Sequence, residues 1–145
     1  MNKLAIVGIG DVRRQDKGVT VYLLDKLQQM LSKVDISFIQ IKSAGQELSD
    51  LLSTIQADKV LILDTDREVV ESGKLNYLKL TLNDDKSFQE LLVVTIGILS
   101  DEWGKKLSGA ISKNFFEILQ KVFNLACGLL EQLGVSFKLN EKVAA

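Results

Sequence analysis

The sequence predicts a three-layer α/β/α domain built on a mainly parallel sheet of about five strands. Short apolar runs alternate along the chain with segments whose apolar residues recur at helical spacing. The runs are apolar throughout rather than alternating, which is typical of parallel strands buried on both faces. At 145 residues, with no repeat or linker, the chain is expected to form one domain over residues 1–145.

The first strand and the loop after it are the best-defined part of the pattern. An apolar run at 4–7 breaks at Gly8 and Gly10 and gives way to a polar loop before helical spacing begins near residue 19. In open α/β sheets, ligands bind where such loops leave the carboxyl ends of the strands. Asp11 and Asp16 therefore lie where a site is expected.

The two glycines do not by themselves identify a ligand. A third glycine of the dinucleotide fingerprint would fall at Arg13, and no P-loop lysine follows. Gly8 and Gly10 either line a site or simply permit a tight turn and close packing. A nucleotide or small-molecule binder that uses this turn is an alternative for which the sequence lacks the phosphate-binding glycines.

The third strand carries the next acidic residues. Its apolar run ends in Asp64-Thr-Asp66, which places Asp64 and Asp66 on the same rim as Asp11 and Asp16. Asp64 instead caps a turn through its own backbone if it behaves as many aspartates do after strands.

The remaining elements follow from the same patterns. Asp16 is interpreted as an N-cap, and Ser43 and Gln46 have the capping-box spacing. Cys127 is expected to be a buried structural thiol, and Trp103 either covers a cleft or packs at its rim. We expect helices at 17–32, 44–56 and 111–133, with Gly134 following the last helix. Strands are expected at 36–41, 59–63 and 91–98, with an edge strand at 75–80. The segment at 83–86 is expected to be a solvated loop, and the tail at 138–145 is expected to be frayed.

Composition excludes several classes of function. With 18 basic and 19 acidic residues and a net charge of −1, the chain has no electrostatic footprint for nucleic acid or an anionic membrane. It contains no histidine, which excludes a Ser-His-Asp triad, a Cys-His pair and any imidazole ligand. A metal site would have to use carboxylates, carbonyls, water or the single thiol.

Compartment is also suggested by composition. One cysteine excludes an internal disulfide and fits a reducing compartment. Met1 leads directly into the first strand, so no signal peptide is expected, and the apolar runs are too short to span a bilayer. We therefore expect a cytoplasmic protein.

The order of elements and several short motifs resemble the hydrogenase maturation endopeptidases, which trim the C-terminal tail of the nickel-iron hydrogenase large subunit. The matching segments are Val7-Gly-Ile-Gly-Asp11 with Gln15-Asp-Lys-Gly18, then Ser43-Ala-Gly-Gln-Glu-Leu48, Leu63-Asp-Thr65, Ser72-Gly-Lys-Leu75, and the strand and helix over 91–134. The resemblance implies their phosphorylase/hydrolase-like α/β fold, a hydrolase activity in protein processing and a hydrogenase large subunit or maturation protein as partner. It implies no firm cofactor of the chain itself, and the nickel of the precursor substrate would be the metal if the protein is active.

By the same resemblance, three positions would bind that nickel, and only one matches cleanly. Asp64 is the second position, the first falls on Lys17 with Asp16 beside it, and the third, a histidine, is missing. The metal candidates are thus Asp64 and Asp16, with Asp11 and Asp66 weaker and Gly8, Gly10 and Lys17 lining the site.

Lys17 would repel a dication unless Asp16 replaces it as a ligand, or it pairs with Asp64 and fills the metal position with its own charge. The resemblance therefore implies either a nickel-dependent peptidase with an incomplete ligand set or a non-catalytic relative that binds a hydrogenase subunit or maturation factor.

Overall fold

The computed structural model describes residues 4–81, 88 and 90–135; the predicted loop at 83–86 and tail at 138–145 lie outside them. Five strands form one sheet in the order β2-β1-β3-β5-β4. All neighbouring pairs are parallel except β4 with β5, which are antiparallel. The strands are β1 (Leu4–Ile9), β2 (Ile36–Ile41), β3 (Lys59–Asp66), β4 (Leu75–Thr81) and β5 (Glu90–Gly97).

Three α-helices cover the sheet. They are α1 (Val19–Met30), α2 (Gln46–Thr54) and α3 (Gly109–Gln132), and a 3₁₀ turn, Gln15–Gly18, leads directly into α1. The predicted three-layer α/β fold is confirmed, as is the placement of residues 75–80 on an edge strand. Within the described ranges no helix combines the length and apolar character that a membrane crossing needs.

The continuous apolar runs are explained by two cores, one on each face of the sheet. Along β1, Leu4 and Ile6 face the larger core, whereas Ala5 and Val7 face the smaller one. The larger core is built with α1 and α3, and the smaller one receives partly buried leucines from α2. Because both faces are covered, every position of a central strand has to be apolar.

Both predicted N-caps are wrong. The residue before α2 is Gly45, whose φ of +78° suits glycine, and the Ser43 hydroxyl instead donates to Glu47 Oε2 at 3.5 Å. Gly18 precedes α1 without any side-chain cap, and Asp16 lies inside the 3₁₀ turn. A capping pattern in the sequence does not reveal whether a distant segment competes for the same side chain.

The last helix begins two residues before its predicted start. Ser108 is its N-cap, with the hydroxyl accepting a hydrogen bond from the Ile111 N–H at 3.4 Å. At the other end, the prediction of Gly134 as the residue that ends the helix is confirmed. Gly134 has a φ of +70° and the Val135 N–H donates to the Leu130 carbonyl. Both ends of α3 are therefore capped by hydrogen bonds from the adjoining residues.

Candidate functional site

The site lies at the carboxyl edge of the parallel strands, where the loops after β1, β3 and β5 meet. Gly10 allows the first of these loops to fold back onto the strand end. A Cβ there would lie 2.1 Å from the Lys17 carbonyl oxygen and 2.2 Å from Thr20 Oγ1. The Asp11 N–H donates to that same carbonyl at 3.1 Å. The space beside Gly10 is thus filled by the protein's own backbone, as the packing alternative anticipates.

Gly8 is less constrained than Gly10. A Cβ at this position would meet the side-chain oxygen of Gln40, at 2.5 Å, rather than a backbone atom. The Gln40 amide donates to the Ile41 carbonyl at 3.1 Å and can move. The glycine therefore adjoins a polar side chain of β2 at the edge of the sheet.

Asp16 is a buried side chain that joins two loops. It is fully buried, and its Oδ1 accepts a hydrogen bond from the Ser108 N–H at 2.6 Å. Its Oδ2 accepts from the N–H groups of Leu99 and Ser100, at 3.1 and 3.0 Å, and from the Ser108 hydroxyl at 2.7 Å. Four donors from the described residues surround it, so both oxygens of this buried carboxylate are hydrogen-bonded within the protein.

Main-chain hydrogen bonds strengthen the same junction. The Gln15 N–H donates to the Gly104 carbonyl and the Gly104 N–H to the Arg13 carbonyl, both at 2.8 Å. The Asp16 N–H donates to the Ser100 carbonyl, and Arg14 Nε donates to the Asp101 carbonyl at 2.9 Å. The loop at 10–18 and the loop at 98–108 therefore form one connected rim.

Asp64 has the carboxylate best placed to act chemically. β1 pairs with β3 only as far as Gly8 opposite Leu63, so Asp64 lies one residue beyond that pairing, next to the loop that leaves β1. It is partly buried, and its Oδ1 accepts a hydrogen bond from the Thr65 N–H at 2.8 Å. That bond is the turn interaction expected of an aspartate after a strand.

Burial determines the electrostatics of Asp64. Desolvation raises the pKa of Asp64, whereas the Thr65 hydrogen bond and the positive charge of Lys17 act in the opposite direction, and nearby Asp66 raises this pKa further. Burial outweighs the two favourable contributions. Lys17 is therefore near enough to act on Asp64 electrostatically without fully compensating its loss of hydration.

The other two candidate carboxylates are occupied by local contacts. Arg13 binds Asp11 through two nitrogens, with Nε 3.0 Å from Oδ1 and Nη2 2.7 Å from Oδ2, and these contacts lower the pKa of Asp11. Asp66 Oδ2 accepts from the N–H groups of Val69 and Val70 at 2.6 and 2.8 Å, which lowers the pKa of Asp66.

The four aspartates lie at one edge but are not assembled into a metal site. Within the described residues, 4–81, 88 and 90–135, no three acidic or cysteine side chains are grouped closely enough to hold a metal ion. Asp16 in particular has both carboxylate oxygens committed to the opposite loop. Asp64 accepts a single described hydrogen bond and therefore keeps oxygen lone pairs available for a further partner.

The sequence interpretation placed Trp103 over a cleft or at its rim but missed the arginines that surround it. All three arginines of the chain, Arg13, Arg14 and Arg67, lie in loops at this edge. The guanidinium carbons of Arg13 and Arg14 lie 5.7 and 5.2 Å from the ring centroid of Trp103, which is 70% exposed. Trp103 thus packs at the rim through cation–π contacts. Ser108, which binds Asp16, was also missed, although a hydroxyl residue just before a helical pattern is a recognisable N-cap signal.

Comparison with solved structures places this fold among known proteins, whereas no protein-family profile and no curated protein sequence matches the chain. HybD, the hydrogenase maturating endopeptidase of E. coli, is similar with a TM-score of 0.73 and 16% identity over 97% of this chain and 99% of that chain. A hydrogenase 2 maturation peptidase from a Thaumarchaeota archaeon gives a TM-score of 0.68, with 18% identity over 93% and 100% of the two chains.

A third similar structure is the [NiFe] hydrogenase maturation protease HycI from Thermococcus kodakarensis. Its TM-score is 0.67, with 12% identity over 85% of this chain and 91% of that chain. These likenesses extend over nearly the whole length of each protein, and the resemblance predicted from the motifs is confirmed at the level of the fold. The chain has the fold of the hydrogenase maturation endopeptidases.

Proposed function

We propose that this chain is a hydrogenase-maturation-protease-like protein that binds a hydrogenase large-subunit precursor, or a maturation protein, at its carboxyl edge without nickel-dependent cleavage. The observation that carries the proposal is the commitment of Asp16 to four donors while Lys17 places a positive charge near Asp64. The fold supports the hydrogenase-related partner.

The chemistry of the rim favours binding over hydrolysis. Cleaving a peptide requires a group that polarises the carbonyl or activates water, and an imidazole is the usual base near neutral pH. The chain has no histidine, and Asp64 on its own is a weak ligand for nickel, which imidazole nitrogen suits better. Lys17 adds a repulsive charge to any dication that approaches Asp64.

The same edge is suited to hold a protein segment. Arg14 and Trp103 present a cationic and aromatic surface on the loops of this carboxyl edge. Arginine and tryptophan are enriched among the residues that dominate binding energy at protein interfaces. A precursor tail that reaches this rim would meet both charge and apolar area.

A second candidate function, nickel-dependent C-terminal processing of the precursor, is favoured by Asp64 itself. This carboxylate occupies the position of the matching ligand in the resemblance and accepts one described hydrogen bond, so it has acceptor capacity for an ion already held by the precursor. In that case both binding and cleavage depend on nickel in the precursor and are lost in Asp64→Ala.

The two functions are separated by one experiment with a hydrogenase large-subunit precursor prepared with and without nickel. Binding is measured by biolayer interferometry and cleavage by intact mass. We expect both precursors to bind with affinities within about threefold and to keep their C-terminal tails. Lys33→Glu, on an exposed residue beyond α1, is the matched control for the rim variant Arg14→Glu, which should weaken binding at least about tenfold.

Two outcomes contradict the proposal. Loss of the tail from the nickel-loaded precursor, abolished by Asp64→Ala, would establish the processing function. If neither precursor nor any hydrogenase maturation protein tested binds above the background of an unrelated protein, the hydrogenase-related function is wrong.

A further inference from the structure

A groove between α1 and α3 lies on the helical face of the molecule. It has a volume of about 510 Å³ and is lined by Tyr22, Lys26, Lys106, Leu107, Ser112, Phe115 and Phe116. We call this feature the α1/α3 groove. Its lining comes from α1, from α3 and from the end of the loop that precedes α3, whereas the carboxylates of the carboxyl edge are absent from it.

The walls of the groove are same-face pairs on the two helices. Tyr22 and Lys26 are four residues apart on α1, as are Ser112 and Phe116 on α3, so each pair projects from one side of its helix. Phe116 is 75% exposed and Tyr22 38% exposed. At 75% exposure the Phe116 ring contributes little to the core, and its apolar surface is available to contact a partner.

Phe115 shows the contrast between floor and wall. It is partly buried against the larger core, and its ring packs edge-to-face on Phe116 with centroids 5.7 Å apart. Leu107 is likewise packed against that core. The groove therefore has an anchored apolar floor, with Phe116 as its exposed part.

The charge of the groove identifies its occupant. Lys26 and Lys106 line it, no acidic residue does, and neither lysine forms an ion pair within the described part of the chain. The chain as a whole has a net charge of −1, so this positive, apolar concavity is a local feature. Complementarity requires a partner that combines apolar side chains with carboxylates.

We propose that the α1/α3 groove docks an acidic amphipathic helix of another protein, with apolar side chains against Phe116 and carboxylates on Lys26 and Lys106. Grooves between helices bind such helices through side chains spaced three and four residues apart. This inference goes beyond the proposed function and does not depend on it, because it concerns a different face and requires no precursor or metal.

Two other occupants fit the same residues less well. A second copy in a twofold arrangement would place Lys26 and Lys106 against a surface that also lacks lining carboxylates, so like charges would oppose association. An anionic membrane would meet only two lysines beside these apolar residues, on a chain whose net charge is −1, so its electrostatic attraction would be weak. A helix can lie along an open groove between two helices and place its apolar side chains in it.

The test uses a fluorescein-labelled helical peptide of about fourteen residues, or about four turns, with leucines along one face and glutamates beside them. The control peptide has lysine in place of every glutamate. By fluorescence anisotropy we expect the acidic peptide to bind at least about tenfold more tightly than the basic one. Equal binding of the two peptides, or no binding of the acidic one, would overturn the proposal.

Matched variants assign the binding to the groove. Phe116→Ser should weaken the acidic peptide at least about tenfold, and the double variant Lys26→Glu/Lys106→Glu should reverse the charge preference. Val69→Ser removes an 88% exposed apolar side chain elsewhere and should leave binding unchanged. Lys33→Glu/Lys74→Glu, on two exposed lysines outside the groove, controls for net charge.

Circular dichroism verifies that each variant is folded, which is expected since Phe116 lies mostly outside the core. Two further measurements test whether the groove instead binds a second copy of the chain or an anionic membrane. Sedimentation that shows a dimer dissociated by Phe116→Ser would overturn the proposal in favour of a second copy. Flotation with phosphatidylserine vesicles that is lost in the same variant would overturn it in favour of a membrane.

Discussion

Replacing Asp16 by asparagine tests whether this residue is a structural link between two loops. In Asp16→Asn the amide oxygen can keep the three hydrogen bonds now made by Oδ2, but the amide NH₂ then faces the Ser108 N–H, donor against donor. A hydrogen bond to a charged group contributes roughly 1.5–3 kcal/mol, and the three retained bonds weaken when the acceptor becomes neutral.

We therefore expect Asp16→Asn to lower the free energy of unfolding by about 2–4 kcal/mol. With a urea m-value of about 2 kcal/mol/M for a chain of this size, the midpoint falls by roughly 1–2 M. Urea titrations followed by far-ultraviolet circular dichroism and by the fluorescence of the single tryptophan, Trp103, measure this change.

Asp25→Asn provides the control, because Asp25 is exposed and its carboxylate accepts a hydrogen bond from the Gln29 side chain on the surface of the same helix. Its effect should stay within about 0.5 kcal/mol. If Asp16→Asn is as stable as Asp25→Asn, the structural role of Asp16 is refuted, and its carboxylate would again be available as a ligand.

Three further predictions concern packing, pH and the thiol. Gly97→Ala places a Cβ 2.0 Å from the Glu71 carbonyl oxygen and should lower the free energy of unfolding by about 2–4 kcal/mol. Gly128→Ala in α3 meets nothing within 4 Å and should raise the free energy of unfolding by about 0.5–1 kcal/mol. Urea unfolding that ranks the two variants in the reverse order would contradict this packing. Because the pKa of Asp64 is raised in the folded state, Asp64 binds more protons folded than unfolded, and its contribution to stability falls as pH rises through its folded pKa. Asp64→Asn should therefore be more stable than the wild type at pH 7, by a small amount because solvent screens this partly exposed group, and equally stable below the ordinary Asp pKa of about 3.9. A gain in unfolding free energy that does not depend on pH would contradict this. Burial raises the pKa of Cys127, so the native thiol should react with Ellman's reagent at least about tenfold more slowly than the urea-unfolded chain, and equal rates would show an exposed thiol.

Local patterns in the sequence predict most of the fold. Continuous apolar runs identify the central strands because both faces are covered by helices, and the imperfect alternation at 75–80 identifies an edge strand, whose antiparallel pairing the sequence did not predict. Helix ends were predicted less well. The capping patterns at Asp16 and Ser43 are local, whereas Asp16 is bound by Ser108, 92 residues away.

The sequence predicted where the candidate aspartates lie better than it predicted what each of them binds. The rim aspartates do lie at the carboxyl edge, because parallel strands end there together. Their partners were not predictable from spacing: Arg13 on Asp11 and the two N–H groups on Asp66 depend on how each loop closes. The Trp103 contacts with Arg13 and Arg14 require two loops to meet, which a linear pattern does not encode.

The most direct measurement is a calorimetric nickel titration of the wild-type protein, Lys17→Glu and Lys17→Glu/Asp64→Ala. If Lys17 excludes a dication from the vicinity of Asp64, the wild type shows no saturable binding at millimolar nickel. Lys17→Glu then binds at least about tenfold more tightly, and the double variant loses that gain. Tight binding by the wild type that Asp64→Ala abolishes would instead show that the carboxyl edge is a working metal site.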